Sequence, residues 1–477
     1  MRTFALIVGP SVAVAALSVR AVRERATTFL IGVAIATSAL AWAEAAWPST
    51  TNFFAGYLRV DPTARLFLAV VNPIFFGVSV YVWNRVTKTP SLEAGMARFA
   101  ALSLTFLAAV NTVLLANHLI VLWLSLEATT LAAAPLIVRP GVAASRVASW
   151  RYLLFSSVGL GLVFLGFVCL SRGIEVGGEI PSFFLDRLEV INGASANPWG
   201  RLGIALIILG LGGKLGLAPM YSWLPEAYDE APPAVTALLG AVQFNAALVV
   251  LLRVVHVFRP THPALITYEL VTMGLVSMVV STVSIIATRN MKRIVAYASI
   301  NHAGVIAIGL AIGKSASYGL LLYVISNAFI KAILFLTAGK IQAHYGTKDT
   351  RKISGLLKDL PYSGVFLMVG TFALLGLPPF GSFFGELLIL SALVTSNQLF
   401  VFAAFCVLIT MTFIATGKTV FPMIWGEPKQ DRTWEKQTFL SAVPKMFFLI
   451  ALVVLGVYIP PAVTHLLQQV ASSVEGP

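Results

Sequence analysis

Long apolar runs follow one another along almost the whole chain, and they constrain the fold more than any other feature. We predict about fourteen runs, each close to the roughly 20 residues that a membrane-spanning helix needs. They cover 3–19, 28–46, 66–84, 98–116, 118–138, 151–171, 202–219, 234–257, 264–288, 293–313, 316–340, 362–395, 397–425 and 444–466. Of the 477 residues, 58% are hydrophobic and 11% charged, whereas a soluble domain is about 25% charged. The sequence therefore predicts an all-α, polytopic membrane protein.

The basic residues predict the orientation of the chain. Most of the 33 Lys and Arg residues lie in the loops after odd-numbered spans, and cytoplasmic loops carry such an excess. We therefore expect a multi-pass protein of the cell (inner) membrane with both termini on the outer, periplasmic side. The same topology explains the formal charge of +13, so the lipid bilayer is the expected partner and nucleic acid is not.

The sequence gives no reason to expect a cofactor on this chain. The two cysteines, Cys169 and Cys406, both lie inside apolar runs, so their spacing fits neither a metal site nor an iron–sulfur cluster. No loop is long enough to fold a nucleotide- or flavin-binding domain. We expect no catalysis by the chain alone.

Two spans contain helix breakers beside an ionisable residue. One reads GLGGKLGLAPMYSWLP, with Pro219 and Pro225, and the other LLGLPPFGSFFGE, with Pro378 and Pro379. Proline removes a backbone donor, and the freed backbone groups must face protein or a water-filled cavity rather than lipid. Paired interrupted helices indicate an ion site in transporters; packing kinks are the structural alternative.

Five ionisable residues lie deep inside spans, in the order acid, base, histidine, base, acid. Each charge costs about 2.5–3.5 kcal/mol at mid-bilayer, so such residues are usually functional. A buried lysine holds or releases a proton according to its solvation and to nearby carboxylates, and histidine exchanges protons near neutral pH. We predict a proton relay formed by Glu127, Lys214, His302, Lys331 and Glu386.

Each of these residues also has a structural interpretation. Glu127 and Lys214 could form a static ion pair, and Lys331 could extend its ammonium toward the cytoplasmic surface. His302 could be a hydrogen-bonded packing residue, and Glu386 a structural partner of the nearby break.

Two further basic residues lie near span ends. For Lys418 we favour extension of the side chain to the interface. Arg253 ends its span and could line a water path or anchor the interface.

Four segments carry a family resemblance. KLGLAPMYSWLPEAYDEAPPAVTALL, NMKRIVAYASINHAGVIAIG, SNAFIKAILFLTAGKI and LGLPPFGSFFGELLIL resemble motifs of the antiporter-like, proton-translocating subunits of respiratory complex I and its relatives. The resemblance implies fourteen helices, with two inverted five-helix repeats and discontinuous helices seven and twelve. We accordingly divide the chain into 1–97 (three N-terminal helices), 98–257 and 264–425 (the repeats), and 426–477 (a loop and the last helix).

The resemblance also assigns roles to residues. It implies that Glu127 and Lys214 are partners on helices five and seven and that Lys331 lies on the central axis of helix eleven. His302 matches a helix-ten histidine of some members, and Glu386 stands where members carry lysine or glutamate. Where members usually have a helix-eight lysine, this chain has Asn245; a water chain could bridge there, or the relay could be weaker.

LEATTLAAAPLIV, TKDTRKISGLLKDLPYSG and Asn245 look most like the hydrogenase-4 component F group. The expected function is proton translocation within a redox-driven respiratory or hydrogenase-type complex similar to NADH:quinone oxidoreductase. Iron–sulfur or NiFe-hydrogenase-like subunits are the expected partners. A cation/proton antiporter of the Mrp type and a subunit of a proton-coupled inorganic carbon uptake complex are the alternatives.

Overall fold

The computed structural model describes residues 2–47, 52–428 and 439–475, and in these ranges the protein is helical, without β-strands. Short helical turns at Arg20–Arg23, Leu185–Ile191 and Leu356–Asp359 lie in connecting loops. The longer helices are α1 (Arg2–Ala16), α2 (Ala26–Ala46), α3 (Pro62–Lys88), α4 (Met96–Leu115), α5 (Leu119–Ile137), α6 (Ala143–Val176), α7 (Pro198–Leu215), α8 (Trp223–Glu230), α9 (Pro233–Phe258), α10 (Pro263–Ala287), α11 (Met291–Ile312), α12 (Ser317–Tyr345), α13 (Pro361–Leu374), α14 (Gly381–Thr395), α15 (Leu399–Trp425), α16 (Val443–Val457) and α17 (Pro461–Glu475).

The helices are those of a multi-pass membrane protein, as the sequence predicts. In the described ranges, 10 helices are long and apolar enough to cross a bilayer, or 11 if α16 and the helix after its 75° bend are one span. The apolar segments of α9 and α12 are completely buried, so these two helices form the centre of the bundle. The count of fourteen, the inverted repeats and the segment boundaries stay predictions, and the predicted loop after 426 lies largely in 429–438, outside the described residues.

Both predicted breaks are present. α7 ends at Gly216, whose φ of +79° suits a residue without a Cβ, and the Trp223 indole donates to the Gly213 carbonyl at 2.9 Å. Between α13 and α14, the Ser382 hydroxyl donates to the Ala373 carbonyl at 2.8 Å. Side chains thus satisfy carbonyls that the interrupted helices leave free, as an apolar environment requires.

The prolines of these breaks differ in position. Pro219, Pro378 and Pro379 lie in the non-helical segments, where Ala218–Pro219 and Pro378–Pro379 are cis peptides. Pro225 lies instead in the first turn of α8. That turn tolerates proline because its N–H groups have no intrahelical partner, so Pro225 does not break a helix.

A glycine seam holds α6 and α7 together, backbone against backbone. A Cβ built at Gly210 would lie 2.4 Å from the Gly159 carbonyl oxygen. Small residues permit this close approach, and packing of this kind drives helix association in lipid. Lys214 lies one turn after Gly210 and Tyr152 two turns before Gly159, so the seam fixes the separation of these side chains.

We expect Gly210→Ala to weaken this seam. The added methyl forces the two backbones apart, and such overpacking costs about 1–3 kcal/mol. A lower thermal unfolding midpoint of the purified protein in detergent would measure the effect. Gly161→Ala, also on α6, is the matched control because its Cβ would meet nothing within 4 Å. Equal midpoints for the two variants would contradict the close packing.

Candidate functional site

The predicted relay residues lie on six different helices, which include the two central helices α9 and α12. Lys214, His302 and Lys331 are 3%, 5% and 0% exposed, and Asn245 is 1% exposed. Glu127 and Glu386 are half-buried. The fold therefore removes three basic side chains from solvent, on α7 for Lys214, α11 for His302 and α12 for Lys331.

Lys214 is held by hydroxyl groups. Its Nζ donates to the Thr130 Oγ1 at 2.5 Å and lies 3.5 Å from the Tyr152 hydroxyl oxygen. Lys214 also belongs to the last turn of α7, where the negative end of the helix dipole favours a cation. The break after α7 thus places a buried ammonium where backbone and hydroxyl dipoles both stabilise it.

Glu127 does not form the static ion pair considered above. Its Oε1 accepts a hydrogen bond from the Ser157 hydroxyl at 2.7 Å, and its buried Oε2 has no partner among the described residues. No ion pair joins Glu127 to Lys214 in the part of the chain that the structure describes. Each group can therefore change its proton occupancy without breaking a direct contact with the other.

Lys331 is buried and does not extend to the surface. Its Nζ lies 3.7 Å from the centre of the Phe244 ring and has no hydrogen-bond partner among the described residues. On the same helix, Ser326 and Asn327 also have buried polar atoms without partners there. Buried polar groups are normally satisfied by protein or by ordered water, so this stretch of α12 is suited to hydration.

His302 contacts α12 through a tyrosine. Its Nδ1 is hydrogen-bonded to the Tyr323 hydroxyl, and the ring also borders a cavity of about 240 Å³ between α11, α13, α14 and α15. The same ring thus packs through a hydrogen bond and faces open space, and its place in a proton relay stays a prediction.

Glu386 faces the same cavity. No hydrogen bond or ion pair joins its carboxylate to another described residue. Thr416, which is buried and has an unpartnered hydroxyl, lines the cavity with it. A Cβ built at Gly376, which has φ +64°, would lie 2.8 Å from Glu386 Oε2. The break between α13 and α14 therefore makes the room that this carboxylate occupies.

Sequence reasoning missed the side chains that hold the predicted residues. These side chains, Tyr152, Thr130, Gln243 and Tyr323, carry no charge. Thr130 and Tyr152 contact Lys214 from distant parts of the sequence. Tyr323 contacts His302 in the same way, and Gln243 contacts Tyr152. Tyr152 had one local signal, because it lies seven residues before the seam glycine Gly159 and so shares its helix face.

Lys418 and Arg253, the two basic residues near span ends, differ in their surroundings. Lys418 is exposed on α15, consistent with extension to the interface. Arg253 is 7% exposed and binds Asp61 and the end of α4 instead of lining an open path.

An ion-pair network holds α8 at the end of the bundle that carries the basic loops. Asp229 pairs with Lys348 at 2.7 Å and with Arg293 at 3.1 Å, and it accepts a hydrogen bond from Asn290 at 2.9 Å. Arg139, after α5, pairs with Glu230 at 2.5 Å. The network connects α8 to both halves of the chain.

The network predicts acid sensitivity. Burial would raise the pKa of the Asp229 carboxyl, but the hydrogen bond and charge of Lys348 hold it below its ordinary value of 3.8. A depressed carboxyl pKa contributes stability that is present above the ordinary pKa and is lost as the pH falls through the folded-state pKa.

We therefore expect the thermal midpoint of the wild type to fall between about pH 5 and pH 3, and to fall less steeply in Asp229→Asn. The Asn variant should also be less stable at neutral pH because it removes two ion pairs. Glu179→Gln, an exposed acid-to-amide change, should leave the pH dependence unchanged. Parallel wild-type and Asp229→Asn curves would exclude this role.

Together, a helical membrane bundle with two broken helices, buried basic side chains and half-buried carboxylates defines the antiporter-like class of membrane subunits. Comparison with known proteins agrees. A transmembrane family described as NADH:quinone oxidoreductase/Mrp antiporter matches residues 116–412, more than half of the chain. The chain belongs to this family.

The similarity to relatives and to solved structures covers nearly the full length of this chain. A hydrogenase-4 component F homolog of Methylacidiphilum infernorum is 28% identical over 86% of this chain and 87% of its own. NADH-quinone oxidoreductase subunit N 2 of Chloroherpeton thalassium is 28% identical over 86% and 82%.

Among structures, a chain of the membrane-bound sulfane sulfur reductase, an archaeal respiratory membrane complex, has a TM-score of 0.88 at 22% identity, covering 99% of this chain and 98% of its own. A chain of the Mrp complex from Dietzia has 0.85 at 20% identity, covering 99% and 96%. At these identities the structures show the shared fold.

Proposed function

We propose that this chain is a proton-translocating membrane subunit of a redox-driven respiratory or hydrogenase-type complex. The observation that carries the proposal is the set of ionisable side chains inside the bundle, with Lys214, His302 and Lys331 buried and two carboxylates half-buried. Two buried lysines alone would cost about 5–7 kcal/mol on insertion scales. Neither Lys214 nor Lys331 pairs with a carboxylate of a described residue. A function in proton transfer would explain why the fold retains two such costly side chains.

The proton path begins at Glu127 and Lys214, continues through His302 and Lys331, and ends at Glu386. A half-channel from the cytoplasm supplies the first pair, and an outer exit leaves from the cavity beside Glu386. Unpartnered buried atoms of Gln243, Asn245, Ser326, Asn327 and Lys331 lie on the central helices α9 and α12, and they are suited to bind the water molecules that carry protons between fixed groups.

The driving force comes from partner subunits. We expect no group for electron transfer on this chain, because Cys169 and Cys406 lie inside apolar runs, and the proposed complex therefore includes iron–sulfur or NiFe-hydrogenase-like subunits. A redox change there would alter the charge near Glu127 or Lys214, and the proton would then move on. We place the complex in the cell inner membrane, which family membership supports. The basic loops favour an outer position for both termini of this chain.

Affinity purification of the tagged chain tests the host complex. Recovery of redox subunits, identified by mass spectrometry, is the expected result. The complex is then reconstituted in vesicles with the matching electron donor, and proton uptake is followed with a pH-sensitive dye. Recovery of only small membrane subunits, or of one large soluble partner, would instead assign the chain to an antiporter or to a carbon-uptake complex.

A cation/proton antiporter is the second candidate, because the unpaired Glu386 carboxylate faces a cavity that is also lined by Asn301, Thr412 and Thr416. Oxygen ligands of this kind suit hard cations. Transport that requires Na⁺ would favour this candidate, whereas transport unchanged by replacing Na⁺ with choline would favour protons alone.

A further inference from the structure

The central helix α9 contains a π-helical turn, Leu238–Gln243. Such turns are rare and occur frequently at functional sites, where they change the direction in which neighbouring residues point. The turn lies in a completely buried helix, so the residues at its end face protein on every side.

Gln243, at the end of the turn, belongs to the Lys214 site. Its Nε2 donates to the Tyr152 hydroxyl oxygen at 2.6 Å and to the Thr129 Oγ1 at 3.1 Å. The same Tyr152 oxygen lies 3.5 Å from Lys214 Nζ. One hydrogen of the Gln243 amide is thus used to fix a hydroxyl that Lys214 contacts, and the other binds the Thr129 hydroxyl.

Phe244, the next residue, belongs to the Lys331 site. Its ring faces the Lys331 ammonium at 3.7 Å from the ring centre, and aromatic rings attract cations most strongly where water is excluded. Gly240 leaves room for this arrangement, because a Cβ there would lie 3.6 Å from Lys331 Cδ and 3.1 Å from Phe335. Two consecutive residues of α9 therefore belong to two different lysine sites, Phe244 by direct contact with Lys331 and Gln243 through Tyr152.

Asn245 forms a hydrogen bond to the π-helical turn. Its Nδ2 donates to the Ala241 carbonyl, inside the π-helical turn, at 2.6 Å. The residue expected from sequence to stand in for a relay lysine thus stabilises the backbone that presents Gln243 and Phe244.

We propose that Gln243 and Phe244 are positioning residues that connect the Lys214 and Lys331 sites through the π-helical turn. When Lys331 loses its proton, its attraction to the Phe244 ring is lost, and the ring is free to move. Gln243 is joined to Phe244 by one peptide bond, so that movement changes the Tyr152 contact with Lys214. The inference rests on the proposed proton transfer.

The test compares Phe244→Leu, Gln243→Leu and the double variant, each in the purified complex reconstituted in vesicles. The measurement is the initial rate of proton uptake from pH 5.5 to 8.5. Each single variant should lower the rate about fivefold or more and displace the pH of the half-maximal rate. The double variant should resemble the slower single one, because residues that act as one unit are not additive. Phe244→Tyr keeps the ring face and should retain most of the rate.

Phe258→Leu, a buried phenylalanine in the last turn of the same helix, controls for loss of packing and should leave the pH profile unchanged. Lower rates with an unchanged pH profile, or effects that multiply in the double variant, would overturn the connection. A wild-type complex that turns over its electron donor without moving protons would instead overturn the proposed function, so the two failures are distinguishable.

Discussion

Replacing Lys331 by methionine is expected to reduce proton translocation at least tenfold while the complex still assembles. Methionine keeps the length and much of the volume of the lysine stem but cannot carry a proton. Lys331 is completely buried and contacts the Phe244 ring through its Nζ. Proton uptake by reconstituted vesicles, divided by the rate of electron transfer, is the measurement.

Lys418→Met is the matched control, because Lys418 is exposed on α15 and the same chemical change there removes no buried cation. The control should pump like the wild type. Since methionine removes the cost of burying a charge, Lys331→Met should also be at least as thermally stable as the wild type. Unchanged pumping by Lys331→Met would remove this lysine from the path, and equal losses in both variants would indicate a general effect of charge on assembly.

The membrane architecture could be predicted from the sequence because bilayer thickness fixes the length of apolar runs. The two breaks were also predictable, because Pro219 and Pro378 stand out inside apolar surroundings. Pro225 was misassigned for a physical reason: proline inside a helix and proline in its first turn have the same local sequence signature. The two cases differ only in where the helices end and begin. Because α7 already ends at Gly216, Pro225 lies in the first turn of the next helix, α8.

The ionisable residues could be found from sequence, but their contacts could not. A charge in an apolar run is visible by itself, whereas Thr130 and Tyr152 become partners of Lys214 only when three helices pack. The same applies to the Phe244 ring below Lys331, since aromatic residues are common in any span. Nothing in the local sequence of α9 indicates a π-helical turn. The sequence therefore points to Asn245 and not to Gln243.

Arg253 shows the largest difference between a sequence expectation and the structure. The sequence allowed a water path or an interfacial anchor, but its guanidinium binds three carbonyls at the end of α4, those of Val113, Leu114 and Ala116, at 3.2, 2.7 and 2.7 Å. It also pairs with Asp61 at 2.9 Å. Asp61 in turn caps the first turn of α3 through the Ala64 amide. One side chain of the central helix therefore satisfies the end of one helix and the start of another.

Arg253→Met is accordingly expected to destabilise the protein by about 3–5 kcal/mol, because it leaves a carboxylate and several carbonyls without their donor in a nearly dry site. A markedly lower thermal midpoint in detergent, with a reduced yield of assembled complex, is the expected measurement. Arg172→Met is the control, since that arginine pairs with Glu175 while 60% exposed, and an exposed pair contributes at most about 1 kcal/mol. Complexes that do assemble with Arg253→Met should still translocate protons, because the guanidinium binds the end of α4 and Asp61. A variant as stable as the wild type but unable to pump would reverse this assignment and place Arg253 in the proton path.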